Sequence, residues 1–432
     1  MHLPLSPRRY LRSQIQEARS DDDDDNENGL INAMILLISS TFLTKIADTL
    51  SSPKIILTAL LQMIGASSLA VSLLVPLRES GALLPQIWLA GYVARYPRLG
   101  SLYSIGTLAQ GIAAAGMLLS AWWLEGIWAG WIVVGFLGLL SIARALCSIS
   151  FKGVLGQTVP GGLRGRTTGW ASSAAGGATI IISVILLLVP ERNNMASFMV
   201  FLGLAAICWW LAAAAFRRLE VPDSSTDSQA SVTMTERLGL IRDQPAFRRF
   251  VIVRSLLVST ALIAPWYVML SVTVNQTLSS VGALLLASGL ASFISSPFWG
   301  RYSDRSSRWV LQVSASCVAL LGALSVTLFV LTPTAFDSVF LVPALYFVLE
   351  VAHQGVRVGR KTYVVDLSND DNRVDYVAVS NTLIGIIILA MGIVTGILSI
   401  WLSPISLIAL FSIISAIGAW TASSLPEALD SD

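Results

Sequence analysis

The stretch GRYSDRSSRWVLQVSASCVALLGALSVTLFVL, residues 300–331, decides the fold class. Its first part is mostly polar and carries Arg301, Arg305 and Arg308, whereas residues 309–331 contain no charged side chain. A helix of about 20 apolar residues crosses a hydrocarbon core about 30 Å thick. The stretch therefore predicts a membrane-spanning helix that begins at a short basic loop.

The composition of the whole chain agrees with this local pattern. The chain has 432 residues, of which 12% are charged and 54% are hydrophobic. A soluble domain carries about 25% charged residues, and one with so few would expose large apolar patches. We therefore exclude an ordinary soluble enzyme, a disordered chain and a nucleic-acid-binding protein. The composition predicts an all-α polytopic membrane protein.

Twelve apolar segments follow one another along the chain, and each is predicted to be a helix because open sheets cannot span lipid. We number them spans one to twelve; they lie near 30–52, 67–90, 101–121, 127–150, 168–189, 197–216, 249–272, 279–299, 309–331, 338–359, 378–400 and 403–423. A softer apolar stretch at 53–64 either extends span one or lies along the outer surface.

The basic residues predict the orientation of the spans. If residue 1 is cytoplasmic, the inner loops and tails hold 22 of the 28 Lys and Arg residues, and the outer loops hold only Lys54 and Arg192. Positive charge accumulates on the cytoplasmic side of membrane proteins, so both termini are expected there. Arg254 and Arg357, near the inner ends of spans seven and ten, are expected at the membrane interface.

The two groups of six spans are separated by a long inner loop, and they show a faint internal repeat. An offset of 209 residues relates Gly91 to Gly300, Ala143 to Ala352, Lys152 to Lys361, and Arg164 to Arg373. This pattern predicts two homologous halves in parallel orientation. The expected organisation is a cytoplasmic acidic tail (1–29), a six-helix bundle (30–216), a cytoplasmic linker (217–246), a second six-helix bundle (247–425) and a cytoplasmic tail (426–432).

The loop after span eight contains Gly300, followed four residues later by Asp304 and then by Arg305 and Arg308. This arrangement resembles the signature loop of the major facilitator superfamily. Glycine allows two helices to approach closely, and an aspartate at a helix end can pair with an arginine or a helix terminus. The resemblance implies two six-helix bundles that rock against each other, with spans one, four, seven and ten lining a central cavity.

The equivalent loop in the first half departs from this pattern, because Arg95 stands where the family has an acidic residue after Gly91. The resemblance still implies that both loops control the conformational switch. The predicted switch residues are Gly91, Arg95, Gly300, Asp304, Arg305 and Arg308.

Charged side chains inside the first half form the strongest functional signal, because each costs about 2.5–3.5 kcal/mol at the centre of a membrane. Lys45 and Asp48 share one face of span one and are expected to form an ion pair. Arg78 and Glu79 point about 100° apart in span two, so they are not expected to face the same cavity. With Arg144 of span four, these residues predict a pairing network among spans one, two and four. Glu79 is the preferred proton carrier, and Arg78 and Arg144 are candidates for binding an anionic group.

The second half has its own polar cluster. Glu350 and His353 lie one turn apart in span ten and can share a proton near neutral pH. Pro265 is expected to bend span seven. Trp266 and Tyr267, which follow it, either cover a substrate or face lipid.

We conclude from the sequence that the chain is a secondary active transporter of a small solute, coupled to protons. Two alternatives stay open: a drug efflux antiporter, which is disfavoured because span five has Gly176-Gly177 and no proline, and a non-transporting assembly or sensory factor. We expect no enzyme activity, no cofactor and no metal, because an ion gradient supplies the energy. The expected partners are the solute and lipid, without nucleic acid; the expected state is a monomer in a plasma membrane, the bacterial inner membrane.

Overall fold

The structure is a computed structural model that describes residues 27–426, apart from 86–88, 90–92, 94–95, 97, 189–194, 220, 222–241, 243, 276–277, 304 and 368–372. The described residues form helices, turns and bends and contain no strand, which confirms the predicted all-α fold. The helices are α1 (Glu27–Leu50), α2 (Ile56–Met63), α3 (Ser68–Leu83), α4 (Leu99–Trp123), α5 (Gly126–Thr158), α6 (Gly161–Leu187), α7 (Met195–Arg217), α8 (Pro245–Leu256), α9 (Ser259–Leu262), α10 (Ala264–Asn275), α11 (Leu278–Ser303), α12 (Ser307–Leu331), a 3-10 helix (Pro333–Asp337), α13 (Leu341–Asp366), α14 (Arg373–Leu398) and α15 (Pro404–Ala422).

Within the described residues, ten helical segments are long and apolar enough to cross a membrane. The other two predicted spans correspond to α3 and α13. The described part of α3 is only 16 residues long, and α13 carries charged side chains from Glu350 to Asp366. The molecule is therefore a multi-pass membrane protein, and its architecture is consistent with twelve spans.

Two of the spans are interrupted, span one toward its end and span seven near its middle. Span one consists of α1 and α2, which are separated by residues 51–55, so the apolar stretch at 53–64 extends this span. Pro53 lies in the break, where its missing N–H interrupts the helical hydrogen bonds. Span seven is divided into α8, α9 and α10, and its break directly precedes Pro265, as its sequence predicts. The repeat offset of 209 residues maps the first break onto residues 260–264.

The hydrophobic core has a different form at the two ends of the bundle. Near one end, a single core joins the two halves and includes Leu60 of α2 and Val268 of α10. Near the other end, each half has a separate core, represented by Phe216 in the first half and Phe247 in the second. We call this second end the basic face, because it carries Arg98, Arg217, Arg218, Arg248, Arg301, Arg305 and Arg308. The halves therefore meet at the opposite face and separate toward the basic face.

Two helix pairs, α3 with α14 and α6 with α11, make the most extensive contacts between the halves among the described residues. In the first pair the backbones lie so close that a Cβ on Gly392 would overlap Pro76. In the second pair, Gly282 packs against the backbone at Leu187, near the opposite face. Gly176, further along α6 toward the basic face, has open space beside it. The helices α6 and α11 thus diverge toward the basic face.

Candidate functional site

A central cavity of about 280 Å³ lies between the two halves. The breaks in spans one and seven contribute Pro53 and Val258 to its wall. The other lining residues come from helices α1, α3, α5, α8, α9, α12, α13 and α14. Spans one, four, seven and ten therefore line the cavity, as the family resemblance implies. The charged side chains of the wall come from both halves: Asp48, Lys54, Arg78, Glu79, Arg144, Arg254, Arg357 and Arg360.

Asp48 is the centre of an ion-pair network in the first half. Its carboxylate accepts hydrogen bonds from the guanidinium groups of Arg78 in α3 and Arg144 in α5. The structure thus brings together spans one, two and four. The expected ion pair between Asp48 and Lys45 does not form. Two arginines reach across from neighbouring helices and occupy the carboxylate, and Lys45 lines an adjacent groove of about 600 Å³ instead.

Arg78 and Glu79 both line the central cavity, and the expectation that they could not is wrong. The cavity wall is broad enough for two long side chains from adjacent positions to enter it in different directions. Arg78 points to Asp48, whereas Glu79 is exposed in the cavity and forms no ion pair with another described side chain. Glu79 is therefore an accessible carboxylate among cations.

A second ion pair links the two halves. The ammonium group of Lys54 donates to Glu350 Oε1 at 2.9 Å, and the Glu350 side chain is only 4% exposed. The assignment of Lys54 to an outer loop is therefore wrong. The break at residues 51–55 interrupts the apolar pattern and resembles a loop in the sequence, but Lys54 projects from it into the protein.

Among the described hydrogen bonds, His353 and Glu350 are not bonded to each other. The Nδ1 of His353 is hydrogen-bonded to Thr260 Oγ1 in α9 at 3.0 Å, and both residues are buried. The sequence places Glu350 and His353 one turn apart. It does not show that each side chain binds a residue outside its own helix instead.

Arg254 and Arg357 line the cavity rather than the membrane interface, so that expectation is wrong for both residues. Arg254 is only 8% exposed and donates hydrogen bonds to Ser380 and, at 2.9 Å, to Asn381 Oδ1. Arg357 is exposed within the cavity, and Arg360 lies beside it. The sequence reasoning assigned Arg360 to an inner loop. The sequence shows that residues 350, 353 and 357 share one face of the helix, and Arg360 continues that face of α13 beyond the predicted end of span ten.

Trp266 and Tyr267 neither cover the cavity nor face lipid. Both are buried in the shared apolar core, and the Tyr267 hydroxyl is hydrogen-bonded to Ser325 Oγ at 2.7 Å. These aromatic side chains follow the break in span seven. They therefore stabilise the packing that closes the opposite face of the bundle.

The predicted switch loop is only partly described. Within the described part of the chain, no neighbouring helix lies within 4 Å of a Cβ placed on Gly300, so these residues do not show the expected close approach of two helices. Arg308 donates to the Leu425 carbonyl at 3.0 Å and joins the start of α12 to the end of α15, while Arg305 is exposed. Three other predicted switch residues, Gly91, Arg95 and Asp304, lie outside the described residues.

The model of the Major Facilitator Superfamily matches residues 255–429. No curated protein matches the chain in sequence.

Three solved structures illustrate the structural similarity. The D-xylose–proton symporter is 13% identical with a TM-score of 0.69, and the match covers 91% of this chain and 98% of that chain. For the nucleoside transporter NupG the identity is 13%, the TM-score 0.68 and the coverage 91% and 99%. A bacterial homologue of the human lysosomal transporter Spinster, in an inward-facing and unoccupied conformation, is 12% identical with a TM-score of 0.62 and 98% coverage of both chains. Likeness at these identities shows the fold.

Proposed function

Because the chain has the fold of the Major Facilitator Superfamily, as its sequence predicts, we propose that it is a secondary active transporter that moves a small solute by alternating access. The observation that carries this proposal is the central cavity between the two halves. A shared apolar core closes the cavity toward the opposite face, whereas the cores of the two halves are separate toward the basic face. A solute site open to one side at a time requires such an arrangement.

We assign the basic face to the cytoplasm and both termini to the same side, in a plasma membrane. The support is the concentration of arginine at this face and the distribution of Lys and Arg over the chain. In this orientation the structure corresponds to a cavity that is open to the inside.

The opposite state requires the two halves to separate at the opposite face. The contact of α2 with α10 would open, and the ion pair of Lys54 and Glu350 would break, because its two members belong to different halves. The breaks in spans one and seven allow the outer segments α2 and α10 to move relative to α1 and α8. We therefore place the switch at these two broken helices.

Proton coupling through Glu79 and Glu350 is the energy source that we propose. Protonation of Glu350 would remove the charge that holds Lys54 and so weaken the link between the halves. Glu79 is an exposed carboxylate in the cavity without an ion-pair partner among the described side chains. Asp48 is less suited to this role, because two arginines hold its charge.

Flux driven by a pH gradient tests this function. An uptake and efflux screen, comparing a deletion strain with its parent, first identifies the solutes. The purified protein in liposomes is then expected to move such a solute faster under a pH gradient. Glu79→Gln and Glu350→Gln should each reduce this gradient dependence at least tenfold.

Glu125→Gln is the matched control, because Glu125 is exposed at the start of α5 and does not line the cavity. Unchanged gradient dependence in the double variant Glu79→Gln/Glu350→Gln would contradict the coupling mechanism. Stable co-purification with a partner protein in the absence of any flux would contradict transport itself.

A further inference from the structure

The central cavity has a large excess of positive charge. Six cationic side chains and two carboxylates line it among the described residues. Only Asp48 among those carboxylates is ion-paired, and it is shared by Arg78 and Arg144. Lys54 has a partner in Glu350. The remaining cations are not neutralised by any of these pairs.

Three arginines of the second half form the unneutralised group, which we call the arginine cluster: Arg254, Arg357 and Arg360. Arg357 and Arg360 are three residues apart and lie on the same face of α13, while Arg254 reaches the cavity from α8. None of the three forms an ion pair with a described side chain. Glu79 is the carboxylate of this wall that has no ion pair with a described side chain, and Arg360 and Arg357 are the charges that act on it most strongly.

Arg254 shows that the cluster is incomplete. This side chain is more than nine-tenths buried, its hydrogen-bond partners Ser380 and Asn381 are neutral, and its Nε has no partner. A buried charge is costly unless it is paired. An anion that binds in the cavity would compensate this positive charge during part of the transport cycle.

The chemistry of the wall defines the anion more closely. Guanidinium groups are planar forks of N–H donors that match the oxygen atoms of a carboxylate or a phosphate. Apolar side chains, among them Leu262 and Ile388, line the same cavity. Its volume of about 280 Å³ lies just below the range of roughly 300–1,000 Å³ for drug-sized ligands. A small organic anion therefore matches the positive charge, the partly apolar wall and the volume of the cavity.

We infer that the solute is a small organic anion whose carboxylate or phosphate group binds to Arg254, Arg357 and Arg360. This inference rests on the proposed transport function and names the class of its substrate. Glu79, in the same cavity wall, repels the anion unless it is protonated. Binding of the anion and of a proton are therefore expected to favour each other.

Binding measurements with paired probes test the inference. The purified protein in lipid nanodiscs is titrated with succinate, glycerol 3-phosphate and their neutral counterparts, succinamide and glycerol. We expect at least one anion to bind at least tenfold more tightly than its neutral counterpart. The succinate and glycerol 3-phosphate titrations also distinguish a carboxylate from a phosphate site.

The double variant Arg357→Gln/Arg360→Gln should weaken anion binding at least tenfold, whereas Arg301→Gln should leave it unchanged. Arg301 is a suitable control, because it is exposed at the end of α11 and does not line the cavity. Equal binding of anions and neutral counterparts, or anion binding that is unaffected by the double variant, would overturn the inference.

A reaction-rate measurement tests the same inference without a substrate. A single cysteine is introduced at Ala261, in the cavity wall, in a protein whose native cysteines are replaced by alanine. An anionic methanethiosulfonate should react faster than a cationic one, and this preference should fall at least tenfold in Arg357→Gln/Arg360→Gln. No change in the ratio of rates would count against an anion site.

The two proposals fail separately. If anions bind through the arginine cluster but no gradient drives their flux, the proposed transport is wrong and the anion site stands. If a neutral or cationic solute is transported at the same rate in the double variant Arg357→Gln/Arg360→Gln, transport stands and the anion inference is wrong.

Discussion

Asp48 binds two arginines from two other helices, so a single carboxylate joins spans one, two and four beside the cavity. Removal of one member of a buried ion pair leaves an uncompensated charge, and this is more damaging than replacement of the whole pair. The consequences for stability are therefore asymmetric, and they can be measured one residue at a time.

The variant Asp48→Asn is expected to destabilise the protein. Loss of one partner costs about 3–5 kcal/mol in a fully buried pair, and an exposed pair contributes about 0.2–1 kcal/mol. Because Asp48 is 23% and Arg144 is 41% exposed, we expect a loss between these ranges, about 1–3 kcal/mol. Thermal unfolding in detergent should show a clearly lowered midpoint. Asp337→Asn, at an exposed position outside the cavity, should have no effect. Equal midpoints for the two variants would show that the network does not stabilise the fold.

Lys54 and Glu350 are expected to be coupled energetically. Lys54→Met leaves Glu350 buried without its partner, so it should be more destabilising than Glu350→Gln, which leaves a 21% exposed lysine that reaches water. A double-mutant cycle on thermal stability should give a coupling of about 0.5–3 kcal/mol. Additive effects of the two substitutions would contradict a direct ion pair.

The residues of the site were only partly predictable from the sequence. The cost of charge in a membrane identifies Asp48, Arg78, Glu79, Arg144 and Glu350 as residues with a special role, and all lie in or beside the cavity. Their partners could not be predicted, because ion pairs such as that of Glu350 join residues far apart in sequence. Long side chains also reach across the cavity, so helix periodicity alone did not show that two adjacent residues can share it.

The helices combine close contacts between the two halves with interruptions in spans one and seven. Helices α3 and α14 approach closely at Gly392, where a side chain would overlap Pro76. This contact joins the two halves and is a candidate pivot for their relative motion.

A side chain at Gly392 is expected to disrupt this pivot. Gly392→Val should destabilise the protein by about 1–3 kcal/mol, the range for overpacked sites, and reduce transport. Gly135→Val is the matched control, because Gly135 lies in α5 with open space beside its Cα. Thermal unfolding and solute flux measure both effects. The prediction would be wrong if both variants behaved alike.

The sequence predicts these elements well where apolar runs are continuous and poorly where they are interrupted. The limits of α12 follow directly from the uncharged run after Arg308. By contrast, α13 extends to Asp366, beyond the predicted end near 359, because charged residues that line a cavity look like a loop in the sequence. The break at Pro53 was predicted as part of an outer loop for the same reason.

For alternating access, the two halves of the molecule must move as rigid bodies. The structure shows one state, in which the halves share a core near the opposite face and have separate cores near the basic face. Alternating access requires a second state, in which the opposite face opens while the basic face closes. The ion pair of Lys54 and Glu350 opposes that change in the state described here.

Distances between spin labels on the two halves test this claim most directly. One pair replaces the exposed residues Glu125 and Asp337 at the opposite face, and the other replaces the exposed residues Gln157 and Arg305 at the basic face. In Glu350→Gln we expect the first distance to lengthen and the second to shorten, and both changes to occur in the same fraction of the molecules. Distances that stay fixed, or that change in the same direction at both faces, would contradict alternating access.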